Sequence, residues 1–465
     1  MTGSSHIHPD AIRAAFSRAM SELYRREVPA YGTLLSLVTE VNAATLATDP
    51  ALAADLVASG NLDRLSEERH GAIRLGTRDE LAMMRRVFAV MGMYPVGYYD
   101  LSAAGVPVHS TAFRPVEAES LKHNPFRVFT SLLRLDLIAD ANLRDRAAAV
   151  LASRRIFTDA ALALVGKAER DGGLSDTDAA TFIQEVLETF RWHDKAIVDA
   201  DLYQRLHDAH RLIADVVSFK GPHINHLTPR TLDIDQVQAR MPQVGIAPKA
   251  VVEGPPRRRC PILLRQTSFK ALVEAVAFKG EDGTWVAGHH TARFGEIEQR
   301  GIALTPKGRA RYDALLDATR KRMTSAADGR NAAAYDAVLA EVFQSFPDTW
   351  EELRAEELGY FSYTLTEKGR VSAPTTLDLE AAIAAGLVQF HPIVYEDFLP
   401  VSAAGIFQSN LGDEATQMFE ANPSQRLFEK DLGATVLNEF AHYAGIEQSS
   451  ITACLAALAH RAAAE

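Results

Sequence analysis

Between Pro9 and Ala58 apolar residues recur at three- and four-residue spacing, as in Ile12, Phe16, Met20 and Tyr24, which is the one-sided stripe of an amphipathic helix. From His70 the period changes. HGAIRL reads as a strand, RDELAMMRRVFAVMG returns to helical spacing, and YPVGYYDL and VPVHSTAFRPV are strands parted by the turn residues Ala104 and Gly105. FRVFTSLLRL adds a further strand, so the order is strand, helix, then two or three strands. Asn142 to His210 is helical again, charged on one face and apolar on the other, with Gly172 and Gly173 parting one helix from the next. The earlier order then recurs. HINHLTP is strand-like, DIDQVQARMP is a short helix, and PILLRQTSFKALVEAVAF and HTARFGEIEQRG are strands on either side of a turn at Glu281 to Gly283. Beyond Pro306 the chain is helical to about Leu358, then mixed, with the loop LPVSAAGIFQSNLG and a final Ala-rich helix near Ile451 to Ala464.

This pattern predicts an α+β chain in five parts. They are a helical entry segment (1–65), a first β-rich module (66–140), a helical insertion (141–215), a second β-rich module (216–306) and a mostly helical C-terminal region with a Gly- and Ser-containing loop (307–465). Two βαβββ-type modules side by side close a half-barrel. Its concave face takes side chains from the first strand of each module and the last strand of the second, so the ends of those strands are where chemistry is expected.

Composition narrows the class. With 47% apolar residues among 465, a sizeable core is possible, yet no run approaches the roughly 18 apolar residues of a membrane helix. Met1 to Asp10 is polar, without an apolar signal core, so a cytoplasmic protein is expected. Two cysteines, Cys260 and Cys454, exclude a disulfide framework and a Cys-rich zinc site, leaving His and carboxylates to hold any metal. The net charge of −11 is spread along the chain, and the run Arg257, Arg258, Arg259 has no interleaved aromatics, which argues against nucleic acid as a partner.

His70 opens the first strand of module one, His226 lies in the first strand of module two, and Glu296 lies in its last. Two imidazoles and one carboxylate leave coordination positions open, as iron(II) needs if substrate and dioxygen are to bind together. Glu298, two residues beyond Glu296, shares its strand face, so alternation does not choose between them. His223 is a second candidate imidazole, placed on the opposite face from His226 by the odd spacing. Arg74 shares the face of His70 and Ala72 and is a candidate carboxylate clamp; otherwise it pairs at the surface with Glu67 or Asp79. Gln266, Thr267 and Ser268 are further candidates for a pocket wall.

The segments ERHGAIRLGT, MGMYPVGYYDLS, GVPVHSTAFRPV, FKGPHINHLTPRTLDID, LLRQTSFKALVEAVAF, HTARFGEIEQRGIALTPKGR and VYEDFLPVSAAGIFQSNLG resemble the 2-oxoadipate dioxygenase/decarboxylase family, also called 2-hydroxyglutarate synthase. The resemblance runs over nearly the whole chain. It implies a vicinal-oxygen-chelate-like fold with helical additions and iron(II) held by two His and one Glu, here His70, His226 and Glu296, with Glu298 as the fallback. It also implies a substrate arginine at Arg74 and a substrate-side loop containing Val401 and Ser402. The implied reaction converts 2-oxoadipate and dioxygen to 2-hydroxyglutarate and carbon dioxide, in lysine catabolism. The hairpin Gly280 to His290 is expected to leave function untouched. A zinc- or manganese-dependent isomerase, lyase or hydrolase, and a non-catalytic dicarboxylate sensor, are the other readings.

Overall fold

The computed structural model describes residues 6–280, 282–323, 330–371, 378–399 and 423–462. Strand β1 (Arg69–Leu75) runs into a helix, Arg78–Val90, started by a capping box in which the Thr77 side chain accepts from the Glu80 N–H and the Glu80 carboxylate reaches back. Three strands follow: β2 (Tyr94–Asp100), β3 (Val108–Arg114) and β4 (Arg127–Leu133). β2, β3 and β4 are antiparallel neighbours, while β4 closes in parallel on β1.

The second module repeats this order. β5 (Leu227–Pro229) is followed by the helix Ile234–Arg240 and an extended segment, 248–253, that bridges to β6 (Leu264–Ser268). A hairpin of β7 (Glu274–Lys279) and β8 (Trp285–His290) intervenes before β9 (Glu296–Arg300), which is antiparallel to β6 and bridges in parallel to the end of β5 through Arg230 and Glu298. β5 also lies antiparallel to β1, with His70 opposite Thr228, and so joins the two modules. The spatial order β2-β3-β4-β1 therefore meets its counterpart, segment 248–253, β6, β9, β5, at the β1–β5 pair. This is the vicinal-oxygen-chelate-like pair of βαβββ modules, in an α+β chain.

Two local expectations need correction. HINHLTP enters the sheet only at Leu227, so the alternation used to place His223 opposite His226 does not apply. PILLRQTSFKALVEAVAF is two strands, because pairing with β9 ends at Ser268 opposite Glu296 and the chain then leaves the half-barrel as the β7–β8 hairpin. Gly295 marks the exit: a Cβ there would lie 1.8 Å from the Phe269 ring.

The stripe Ile12, Phe16, Met20 and Tyr24 is buried, in one cluster with Val87 and Phe88 of the first module's helix and Phe182 and Phe190 of the helical insertion. Beyond β9, a second small sheet of β10 (Phe361–Leu365) and β11 (Val388–Pro392) packs with the helix Glu439–Ala462 around Phe361, Tyr443 and Leu458. Among the described residues no helix is long and apolar enough to cross a membrane.

Candidate metal centre

The ends of three central segments converge. His70 is the second residue of β1, Glu296 the first of β9, and His226 directly precedes β5. Their ligand atoms all lie within 4.8 Å of one another. Nε2 of His70 is 3.2 Å, and Nε2 of His226 3.5 Å, from Oε2 of Glu296, and the two imidazoles stand edge to face with centroids 5.3 Å apart. Gly71 permits this approach, since a Cβ there would lie 2.5 Å from Cδ1 of Ile224 and 3.2 Å from the His226 carbonyl. Asn225 ties the segments together: its N–H donates to Ala72 and its carbonyl accepts from the Phe294 N–H. The Tyr24 hydroxyl, from the N-terminal helix Pro9–Glu27, reaches the carbonyls of both Phe294 (2.7 Å) and Asn225 (3.0 Å).

All three side chains are buried, at 1%, 4% and 2% exposure for His70, His226 and Glu296. Neither ring nitrogen of His226 has a hydrogen-bond partner among the described residues. Burial, reinforced by His70 and Arg74, holds this imidazole well below its ordinary pKa, so it is neutral, the state a metal ligand requires. Glu296 accepts from the Thr228 hydroxyl at 3.2 Å. Nδ1 of His70 lies 3.0 Å from Oε2 of Glu298. Burial disfavours a charged His70, but Glu298 and Glu296 outweigh it and raise its pKa. Glu298 itself is gripped by Arg300 through two 2.8 Å bonds and neared by Arg127 at 3.4 Å. Burial alone would raise its pKa, yet Arg300, His70 and Arg127 drive it far down. Glu298 thus sits on the Nδ1 side of His70, outside the three-residue group. Two imidazoles and a carboxylate, with an unpartnered buried imidazole among them, fit a metal of the iron, zinc or manganese kind.

Arg74 pairs with neither Glu67 nor Asp79. Its Nη1 donates to Oδ2 of Asp215 at 2.8 Å, and Asp215 comes from the helical insertion, on the helix Arg211–Ser218. His223 also goes to Asp215, with Nε2 3.3 Å from Oδ1, and not to the metal group. In β6, Ser268 stands opposite Glu296 and Gln266 opposite Glu298; the Ser268 hydroxyl and the Gln266 side-chain amide oxygen are buried with no hydrogen-bond partner among the described residues. Thr267 faces the other way and donates to Gln238. Val401 and Ser402 lie outside the described residues, but Phe398, just before them, packs its ring 4.9 Å from that of His70. The sequence reading missed Asp215, His290 and Tyr24. Asp215 had left a signal, a lone acid in the apolar run LIADVV. Tyr24 had left none, being one more ring in an apolar stripe.

The family model described as 2-oxoadipate dioxygenase/decarboxylase matches residues 16–410. The chain belongs to that family. A 2-oxoadipate dioxygenase/decarboxylase of Pseudomonas putida is 59% identical over 463 residues, covering 98% of this chain and 99% of the relative. An Escherichia coli protein of the same description is 55% identical over 454 residues, covering 97% and 99%. The crystal structure of the Pseudomonas putida hydroxyglutarate synthase in complex with 2-oxoadipate aligns with a TM-score of 0.90 and 58% identity, over 98% of this chain and 99% of that one. Every candidate site residue from His70 to Ser402 falls inside the family match.

Proposed function

We propose that this chain is an iron(II)-dependent dioxygenase that oxidatively decarboxylates 2-oxoadipate. 2-Oxoadipate and dioxygen give 2-hydroxyglutarate and carbon dioxide, a conversion that belongs to lysine catabolism. The observation that carries the reading is the buried two-His, one-Glu group in a chain 58% identical to a hydroxyglutarate synthase that holds 2-oxoadipate.

His70 through Nε2, His226 and Glu296 would hold the metal. Iron(II) bound there supplies open positions for a 2-oxo acid and dioxygen together, and the electrons that activate dioxygen. With Oε2 of Glu298 3.0 Å from Nδ1 of His70, that carboxylate would favour the proton on Nδ1 and so leave Nε2 as the ligand atom. The rings of Phe398 and Phe294, beside His70 and His226, keep water from the imidazoles and strengthen every charge interaction nearby. Arg74 offers a permanently charged planar fork to a substrate carboxylate, and Gln266 and Ser268 offer polar wall groups on the Glu296 face. Val401 and Ser402, outside the described residues, are proposed for substrate binding on the family resemblance alone.

The test is anaerobic reconstitution with iron(II), then addition of 2-oxoadipate and dioxygen. One dioxygen is expected to disappear for each carbon dioxide and 2-hydroxyglutarate formed. Turnover of zinc- or manganese-loaded protein without oxygen uptake would replace the reading by an isomerase, lyase or hydrolase; binding without turnover would make the chain a dicarboxylate sensor. Arg74→Ala is expected to spare the metal and lower kcat/KM by about 2 kcal/mol or more, the loss of a charge-assisted pair.

A further inference from the structure

Asp215 is a buried acid in an apolar helix, 6% exposed, and such a group persists only with partners. Its Oδ2 takes Nη1 of Arg74 at 2.8 Å. Its Oδ1 takes Nε2 of His290 at 2.9 Å and lies 3.3 Å from Nε2 of His223. On the far side of His290, Nδ1 is 2.8 Å from the Tyr203 hydroxyl, whose other contact among the described residues is longer, 3.5 Å, to the His289 carbonyl. Donation therefore runs one way with a neutral imidazole: Tyr203 O–H to Nδ1, then Nε2–H to the carboxylate. Trp192 stacks on His290 at 6.2 Å and 13°, and the Phe219 ring centroid is 4.7 Å away, so the imidazole is fixed in plane as well as at both ends.

These residues come from outside the two βαβββ modules. Asp215 and Tyr203 belong to the helical insertion, and His290 ends the hairpin inserted before β9. Both insertions converge on one arginine of β1. Among the described residues, Asp215 is the hydrogen-bond partner of the Arg74 guanidinium and engages one nitrogen, which leaves the N–H groups of Nε and Nη2 for a second carboxylate.

We infer that Asp215, seated by His290 and Tyr203, is a positioning residue that holds Arg74 ready for the substrate carboxylate. The inference rests on the reading of Arg74 given above. An arginine side chain loses considerable rotamer freedom when it is fixed, so an arginine already anchored by its own carboxylate binds an incoming one at lower entropic cost. The anchor acts on substrate binding and leaves the metal group alone. It also gives the β7–β8 hairpin a part in function, against the expectation from sequence.

The test is steady-state kinetics on 2-oxoadipate with iron-loaded variants, alongside metal content and thermal unfolding. Asp215→Asn and His290→Leu are each expected to raise KM on the order of tenfold, the loss of a charged hydrogen bond, with KM rising more than kcat falls and metal content unchanged. His290→Gln, which keeps an N–H for Asp215, restores most of the loss. In an Arg74→Ala background Asp215→Asn adds no more than about twofold, because the residue it positions is gone. An equal effect in both backgrounds, or an unchanged or lower KM in Asp215→Asn while Arg74→Ala raises it, overturns the inference and leaves the reading of Arg74 standing. Unchanged KM in Arg74→Ala overturns both. Should Asp215→Asn fail to fold, His290→Leu in the two backgrounds decides by the same comparison.

Discussion

Glu296 and Glu298 lie two residues apart on one face of β9, and their surroundings divide their roles. Glu296 meets two imidazoles and a hydroxyl; Glu298 meets His70 on its other nitrogen and two arginines. A carboxylate already neutralised by guanidinium groups has little charge left for a metal, whereas it remains a good acceptor for an imidazole N–H. Glu296→Gln, like His70→Ala and His226→Ala, is therefore expected to abolish stoichiometric metal binding. Glu298→Gln is expected to keep the site and weaken metal affinity roughly 10- to 100-fold. Metal titration of the apoprotein reads both, and stoichiometric binding by Glu296→Gln with none by Glu298→Gln would exchange the two assignments.

At the level of elements, the metal group depends on helices that contribute no ligand. The helix Pro9–Glu27 sends the Tyr24 hydroxyl to the two segments that carry His226 and Glu296. Tyr24→Phe keeps the ring and removes that tie. The expected cost is about 1 kcal/mol of stability, with faster metal loss to a chelator than in the wild type. At the other end of the chain, Glu439 begins the helix Glu439–Ala462, and burial together with the neighbouring Asp397 pushes its carboxyl up to about 7. A raised carboxyl keeps in the folded state a proton that the unfolded chain releases. Its contribution is therefore most favourable below the ordinary value of 4.5 and is lost as pH rises to about 7. Glu439→Gln should then stabilise the protein more at about pH 8 than at about pH 5, as seen in denaturant midpoints; equal shifts at both would remove the proton from the account.

Across the whole molecule, the half-barrel is closed by charge as well as by apolar packing. Glu68, just before β1, contacts Arg127 of β4, Arg230 after β5 (2.9 Å), Arg64 (3.3 Å) and Arg300 of β9 (3.5 Å). Arg127 and Arg64 also reach Glu396, and Arg114 of β3 forms a two-pronged pair with the adjacent Asp397. Both modules and the C-terminal region are thus joined through buried ion pairs. Removing one partner from such a network leaves charges buried without compensation, so Glu68→Gln is expected to destabilise the protein by about 3–5 kcal/mol in denaturant unfolding. A change under about 1 kcal/mol would mean that the arginines find other acceptors or water.

The sequence by itself determined what local periodicity encodes. The spacing of Ile12, Phe16, Met20 and Tyr24 identified a buried helix face, and the strand and helix periods of each module identified the repeated order that brings His70, His226 and Glu296 to neighbouring strand ends. Long motifs also sufficed to name the family, because they record side-chain chemistry at fixed positions. Only the tertiary structure decided which partner each charged group meets. Arg74 pairs with an acid 141 residues away, His223 turns to that same acid, and PILLRQTSFKALVEAVAF divides where β9 stops pairing with it. The reason is physical: alternation fixes the face from which a side chain leaves its strand, but its partner is set by which distant elements pack against that face.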